Sequence, residues 1–390
     1  MKLNRKTTLL ALAMSAGLSV SALNPINLGS GLELTPLGTM LLDGATYAGE
    51  NHKDFHTGAA IPEARLGALM TMGRWSARLE VGYAYNKVLL KDAYFQFDID
   101  SHNYLRAGQT VHQFGLQNST AACQKVTMIE TENNTIFNES QMIGLMYVHA
   151  DSTIFATASL HTESGATTSL TGGPGGLSGQ SLGLRTRSVW HPFTDFSRGV
   201  AQIGLSAGFS TPEHPKNEDE DPYFSFSCNY PTRVNNVRAI GATIEDPRNL
   251  WKLSPELLLG YRRIALESQY YYMRVNRLHD LRHYSASGAY ALLRGVLLGP
   301  DYEYSYGAGG IGTPRPGTLE GVLCWNWSNL SDSGVSLRGG RLVDYSLTLN
   351  YHINKFMTFR LRGGFVHVWD REGFADGNLA SVQGRLQLIF

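Results

Sequence analysis

The chain is short of the features that mark most disulfide-stapled, nucleic-acid-binding and helical membrane proteins. It holds three cysteines, Cys123, Cys228 and Cys324, odd in number and widely spaced. That spacing makes neither a disulfide framework nor a set of metal ligands. There is no basic excess: 33 Lys+Arg stand against 33 Asp+Glu, so the clustered positive charge of a nucleic-acid binder is missing. After residue 22 no apolar run approaches the ~18 residues of a membrane helix, and no long amphipathic helical pattern appears. If the mature chain sits in a membrane, it must therefore cross as strands.

What the sequence does have is 42 Gly and 19 Tyr, a pairing suited to a sheet with tight turns and interfacial aromatic residues. At 17% charged and 43% apolar it is not disordered, and on composition alone a soluble β-sandwich or β-propeller enzyme remains open. Residues 1–22 read as a secretory signal. Lys2, Arg5 and Lys6 form the basic region, Leu9 to Val20 the apolar stretch, and Val20-Ser21-Ala22 the small-residue cleavage site. The apolar run of about 12 residues is too short for the ~20 of a membrane span. Loss of the three basic groups would leave the mature chain at a formal charge of −3.

The last ten residues carry the clearest pattern. Val382, Gly384, Leu386, Leu388 and Phe390 fall on one side of an extended strand, and Ser381, Gln383, Arg385 and Gln387 on the other. A chain ending on an apolar strand fits a transmembrane β-barrel, whose last strand must pair with its first to close the wall. The same alternation recurs along the chain. Trp75, Ala77, Leu79, Val81, Tyr83 and Tyr85 oppose Ser76, Arg78, Glu80 and Gly82. Ala93, Phe95, Phe97 and Ile99 oppose Asp92, Tyr94, Gln96 and Asp98, and a turn at 101–103 leads into a return strand.

Residues 23–35 read as a short leader before a first strand at Leu37 to Ala48. Further strands are expected near 140–150, 152–161, 180–191, 200–210, 233–245, 252–262, 263–277, 281–297 and 318–328, then over 344–353 and 357–365. The count is sixteen or seventeen, and single-chain bacterial barrels require an even number, hence sixteen. Three segments break the pattern: a polar stretch at 110–138, a Gly/Ser/Thr-rich loop at 165–179, and an acidic, proline-bounded loop at 213–222 that matches no calcium-binding spacing.

Motifs for chemistry are thin. Gly204-Leu-Ser-Ala-Gly208 has the form of a nucleophile elbow, but Ser206 lies within an alternating strand and no helix follows. Gly307-Ala-Gly-Gly-Ile-Gly312 has the form of a dinucleotide fingerprint, yet it runs into Thr-Pro-Arg-Pro-Gly, which cannot start the required helix. His52 and His56 share a polar loop without a ligand set. No catalytic residue, metal or cofactor is expected. The inward parity is more informative. Arg65, Arg78, Arg106, Arg185, Arg187, Arg360, Arg362 and Arg385 fall on it, with Glu63, Glu80, Asp92, Asp98, Glu267, Glu320 and Asp344. Such charges either pair across the wall or set a transverse field in a pore.

Several blocks are also similar to a known family. Gly38-Thr-Met-Leu-Leu-Asp-Gly-Ala-Thr-Tyr47, Glu63-Ala-Arg-Leu-Gly67, Leu90-Lys-Asp-Ala-Tyr-Phe95, Leu105-Arg-Ala-Gly-Gln109 with Phe114-Gly-Leu116, and the terminal Arg-Leu-Gln-Leu-Ile-Phe390 carry the resemblance. Val126-Thr-Met-Ile-Glu130 adds to it. The chain resembles the phosphate-selective porins O and P, in a form like those of Bacteroidetes-type bacteria. The resemblance implies an all-β, sixteen-stranded antiparallel barrel in the bacterial outer membrane, as a homotrimer, with 110–138 folded inward as a constriction loop. It also implies passage of anions along basic side chains, with Lys125 near the expected loop position. Val111-His112-Gln113, Ile129-Glu130-Thr131-Glu132 and Pro62-Glu63 stand where the family carries positive charge.

These readings converge on a signal peptide at 1–22 and an outer-membrane barrel at 23–390. Its expected activity is passive diffusion of small hydrophilic solutes, with a mild anion (phosphate) preference. The pore-lining cations expected are Arg65, Arg78, Arg106, Lys125, Arg185, Arg187, Arg360, Arg362 and Arg385. The acidic ones are Glu80, Asp92, Asp98, Glu130 and Asp344. Expected partners are outer-membrane lipid, the solutes, further copies of the chain, and the barrel-assembly machinery through Phe390. Two rival readings are a barrel hydrolase using Ser206 with His191 or His367, and an adhesive barrel displaying loops 211–224 and 299–317.

Overall fold

The computed structural model describes residues 23–84, 87–119, 124–139, 141–162, 181–212 and 222–390. The expected signal peptide, the glycine-rich loop at 165–179, Tyr85, Cys123 and nearly all of the acidic loop lie outside these residues. The chain opens with β1 (Ile26–Gly29) and β2 (Leu32–Ala48), followed by β3 (Gly58–Met72), β4 (Trp75–Ala84), β5 (Lys87–Asp98) and β6 (Asn103–Thr110). Next come β7 (Met142–Ala150), β8 (Ile154–His161), β9 (Gly183–Asp195), β10 (Gly199–Ser210), β11 (Tyr223–Asn229) and β12 (Arg238–Glu245). The rest of the chain supplies β13 (Pro247–Tyr261), β14 (Ile264–Arg277), β15 (Tyr284–Leu298), β16 (Tyr304–Ser305) and β17 (Gly310–Ile311). It ends with β18 (Leu319–Asp332), β19 (Leu337–His352), β20 (Met357–Arg371) and β21 (Gly377–Ile389).

Seventeen strands share one sheet, and β1 is only a four-residue spur on the start of β2. The other sixteen form a closed antiparallel barrel, because β21 pairs with β2 from Thr39↔Ile389 to Ala48↔Ala380. Alternation builds the wall as expected. On β4, Ser76, Arg78, Glu80 and Gly82 are buried toward the interior, while Trp75, Leu79, Val81 and Tyr83 are exposed outward. Aromatic residues mark both ends of the outer belt, with Trp190, Phe193, Tyr261 and Tyr351 toward one rim and Tyr83, Trp251, Tyr270 and Tyr272 toward the other.

The rim at which the chain ends is made mostly of tight turns. Asp100 accepts the amides of His102 and Asn103 at 2.8 and 2.9 Å, and Asp151 those of Thr153 and Ile154 at 2.6 and 2.7 Å. Asn354 does the same for Phe356 and Met357 at 2.8 and 2.9 Å. A side-chain oxygen that satisfies two turn amides lets a strand reverse without a longer loop. Short turns at one rim and longer connections at the other give the barrel two distinct ends.

Three expectations are corrected. Residues 23–35 are no leader, since β1 and the start of β2 form a hairpin there. The segment at 233–245 is not a wall strand. It supplies β12, which pairs with β11 in a separate two-stranded sheet. That hairpin folds into the barrel, burying Phe226, Cys228, Ile240, Ala242 and Ile244 against inward residues Tyr271, Met273, Val275, Leu330, Leu342 and Val366. An apolar plug inside the wall explains why these wall strands are apolar on both faces. Finally, 299–317 does not reach outward from the long-loop rim. It lies at the short-turn rim and enters the lumen from there, as the contacts of Ala308 and Gly309 below show.

Candidate functional site: a lumen narrowed from both ends

The polar stretch after β6 folds into the barrel, and the inward side chains of the wall hold it. Along its first leg, Arg185 donates to the His112 carbonyl at 3.3 Å and Arg187 to Gln113 at 2.9 Å. The Gly115 amide donates to Ser206 Oγ at 2.9 Å, and Phe114 is buried beside Gly208. Along the second leg, Arg360 donates to the Lys125 carbonyl at 3.1 Å, Asn350 to the Val126 carbonyl at 2.8 Å, and Arg385 to the Met128 carbonyl.

After the second leg comes a six-residue helix, Glu132–Phe137, which the sequence pattern did not announce. Its N-cap is Thr131, whose side chain accepts from the Asn134 amide. Asn133 is wholly buried and donates to the Ala289 carbonyl, Asn326 and the Trp327 carbonyl at 2.9, 2.6 and 3.0 Å. Asn326 in turn donates to Glu132 at 2.6 Å, and burial beside Asp344 raises the Glu132 carboxyl above its ordinary range. Backbone carbonyls of an irregular loop need donors once they leave water, and the wall supplies them.

A second segment enters from the short-turn rim. The β16–β17 hairpin brings the Ala308 and Gly309 carbonyls to Arg187 at 3.0 and 2.9 Å, and Gln202 donates to Gly309 at 3.0 Å. Tyr304 donates to Gln202 at 2.7 Å, and Tyr302 to Glu320 at 2.9 Å. Gly310 lies 3.0 Å from a Leu116 methyl, measured from where its Cβ would stand, so the two inserted segments meet inside the barrel. Beneath them remains a cavity of about 310 Å³ at the short-turn rim. Lys125, Arg294, Arg315, Lys355 and Arg360 line it with His352 and Glu267; Arg294 pairs with Glu267 at 2.8 Å and Glu320 at 3.1 Å, and Arg315 with Glu303.

Sequence resemblance and geometry now meet in one observation: the sequence model described as "Phosphate-selective porin O and P" matches residues 38–390. The chain belongs to that family. It is an outer-membrane porin, a passive diffusion channel on a closed β-barrel. No curated protein matches its sequence. Solved structures share the fold at low identity. An anion-selective porin from Comamonas acidovorans is 9% identical with a TM-score of 0.56, covering 92% of this chain and 100% of that one. The outer-membrane channel DcaP of Acinetobacter baumannii is 12% identical at 0.57, covering 94% and 100%. OmpT of Vibrio cholerae in its trimer form is 8% identical at 0.53, covering 93% and 100%.

Of the cations expected to line the pore, Lys125 and Arg360 border the cavity. The others sit in the wall beneath partners. Arg65 pairs with Glu63 and Glu80, Arg78 with Glu80 and, at 3.4 Å, Asp92, and Arg185 with Glu139. Arg187 pairs with Glu256 at 2.7 Å, Arg362 with Asp344 at 2.7 Å, and Arg385 with Asp43 at 2.6 Å. Arg106 donates to Gln96 at 2.8 Å and lies 4.1 Å over the Tyr94 ring. Of the acidic candidates, Asp98 accepts from Gln96 at 2.8 Å, and Glu130 is half-buried in the loop. The porin adds cavity residues that the sequence reading did not name: Arg294, Arg315 and Lys355. Arg294 shares inward parity with Tyr290 and Leu292 and was readable, whereas the other two lie in turns that carry no parity.

Ser206 is wholly buried with its hydroxyl engaged by the loop amide of Gly115, and His367 contacts Asn378 at 2.6 Å. The Gly307–Gly312 run shapes the turn whose carbonyls Arg187 holds. Among the described residues no cluster of three or more His, Cys, Asp or Glu could hold a metal ion.

Proposed function

We propose that this porin is a narrowed diffusion channel for small hydrophilic solutes with a mild preference for anions, phosphate among them. The observation that carries the reading is the charge of the cavity at the short-turn rim, where Lys125, Arg294, Arg315, Lys355 and Arg360 outnumber the three carboxylates beside them, Glu267 and Glu320 on Arg294 and Glu303 on Arg315. A low-dielectric wall focuses such a field and raises the local concentration of anions. The arginines away from the cavity contribute differently: Arg185, Arg187 and Arg385 hold the inserted loop, whereas Arg65, Arg78, Arg106 and Arg362 hold partners within the wall.

The reading includes export by residues 1–22 and a barrel spanning residues 23–390 in outer-membrane lipid. It also includes assembly through the terminal Phe390 and association of three copies, which the trimer form of a structural relative supports. It includes no enzymatic activity, since Ser206 serves as a fastener for the loop. The test is the reversal potential of the purified protein in planar bilayers under a salt gradient, with chloride, phosphate and acetate as anions. A potential displaced toward the anion side is expected, and strong cation selectivity or absence of conductance would overturn the proposal. Mass measurement of the detergent-solubilised protein tests the trimer.

A further inference from the structure

Two buried histidines meet at the root of the inserted loop. His112 is wholly buried, and its ring centroid lies 5.1 Å from that of His161, the last residue of β8. His112 Nε2 lies 3.1 Å from the Met142 carbonyl, which fixes the proton of the neutral ring on that nitrogen. His112 Nδ1 lacks a hydrogen-bond partner among the described residues, and His161 has the Thr162 backbone beside it. The wall leaves no room to retreat. A Cβ at Gly144 would stand 2.7 Å from His112 Cε1, and one at Gly183 would overlap the His161 ring.

The charges around the pair are nearly all positive. Arg185 on β9 reaches the His112 carbonyl and pairs with Glu139. Lys252 on β13 donates to the Phe137 carbonyl at 2.9 Å and to Glu139 at 2.6 Å. Arg106 on β6 adds its field to His112. Both ends of the inserted loop are therefore tied at one corner, where among the described residues three cations, Arg185, Lys252 and Arg106, stand with the carboxylate of Glu139. A proton added to either ring would place another cation there without a counter-charge.

We propose that the His112–His161 pair is an acid-sensitive latch, which holds the root of the inserted loop at neutral pH and releases it as the pH falls. Burial, with His161 and Arg185 beside it, pushes His112 down to about 3, whereas a released imidazole titrates near ~6.5. The sign follows. The latched state is at full strength above ~6.5, and each pH unit below that favours release about tenfold through His112, until the latched ring itself titrates.

Hydrogen exchange of the segment 111–119 in the intact protein, corrected for the intrinsic pH dependence, provides the test. Between pH 7.5 and pH 5, exchange in the wild type should rise by at least about tenfold. His112→Gln, which removes the titrating ring, should abolish most of that rise, and His161→Gln, which leaves the loop sequence intact, should lessen it and serves if the first variant does not assemble. An unchanged wild-type ratio, or an equal rise in an assembled variant, overturns the latch. Single-channel recordings over the same range should show more frequent conductance transitions in acid for the wild type alone. Absence of any conductance would count against the channel reading, while the exchange experiment would still decide the latch.

Discussion

Gly38 and Phe390 close the barrel by exchanging both backbone hydrogen bonds, Gly38 N–H to Phe390 O at 2.8 Å and Phe390 N–H to Gly38 O at 2.9 Å. The Phe390 ring lies where a Cβ on residue 38 would stand, so only glycine admits the terminal aromatic ring at this point. Gly38→Leu should therefore displace Phe390 and cost about 1–3 kcal/mol through overpacking. The expected readout is a lower temperature of the heat-induced mobility shift on unboiled gels. A variant as heat-resistant as the wild type would show that the ring is not needed to lock the seam.

Five residues further along the same seam, Arg385 meets Asp43 with both ends of its guanidinium, Nε at 2.7 Å and Nη2 at 2.6 Å. Both residues are at most 1% exposed, and Arg385 also donates to the Met128 carbonyl. Asp43→Asn would leave a buried charge unpaired, a loss on the order of 3–5 kcal/mol. Adding Arg385→Gln should recover much of it, since the pair itself contributes little beyond what its desolvation costs. Urea midpoints of the two single variants and the double variant form the cycle, and strictly additive losses would refute the coupling.

The wall was legible because period-2 alternation reports which face of a strand meets lipid, and Trp75 to Tyr83 or Val382 to Phe390 need no partner to be read. Parity says less about what lies inside. β12 alternates as a wall strand does, but its apolar side packs on Leu342 and Val366 within the barrel, and nothing local separates a lipid-facing stripe from a plug-facing one. Arg385 was correctly readable as inward. Its partners, Asp43 and the Met128 carbonyl, are 342 and 257 residues away in sequence, so parity could not say that a loop would cover it. Cations in turns, such as Lys355 and Arg315, fall outside the method altogether.

The helix near the C-terminal end of the inserted loop is held chiefly by Asn133, whose amide nitrogen serves three acceptors while its oxygen accepts from Ser328 at 2.9 Å. Asn133→Ala strips these bonds and leaves the Asn326 and Ser328 side chains short of a partner, a loss of about 1–3 kcal/mol in loop docking. The barrel wall does not depend on that contact. Single-channel current should become noisier with larger mean conductance, while the heat-induced mobility shift stays near that of the wild type. Unchanged current would show that the helix lies off the conducting path.

Lys355 sits in the short turn after β19, exposed at the mouth of the basic cavity. Lys355→Glu therefore tests the field of the mouth with little effect on the wall. It removes one positive charge and adds a negative one close to Arg315 and Arg360, so the anion-to-cation permeability ratio should fall by at least about twofold at 0.1 M salt, where the screening length is ~10 Å. At 1 M salt that length is ~3 Å, and most of the difference should vanish. Reversal potentials under matched gradients at both salt levels provide the measurement. A ratio that ignores the substitution at low salt would place the selective field deeper in the lumen, among the residues that Lys125 and Arg294 share with the inserted segments.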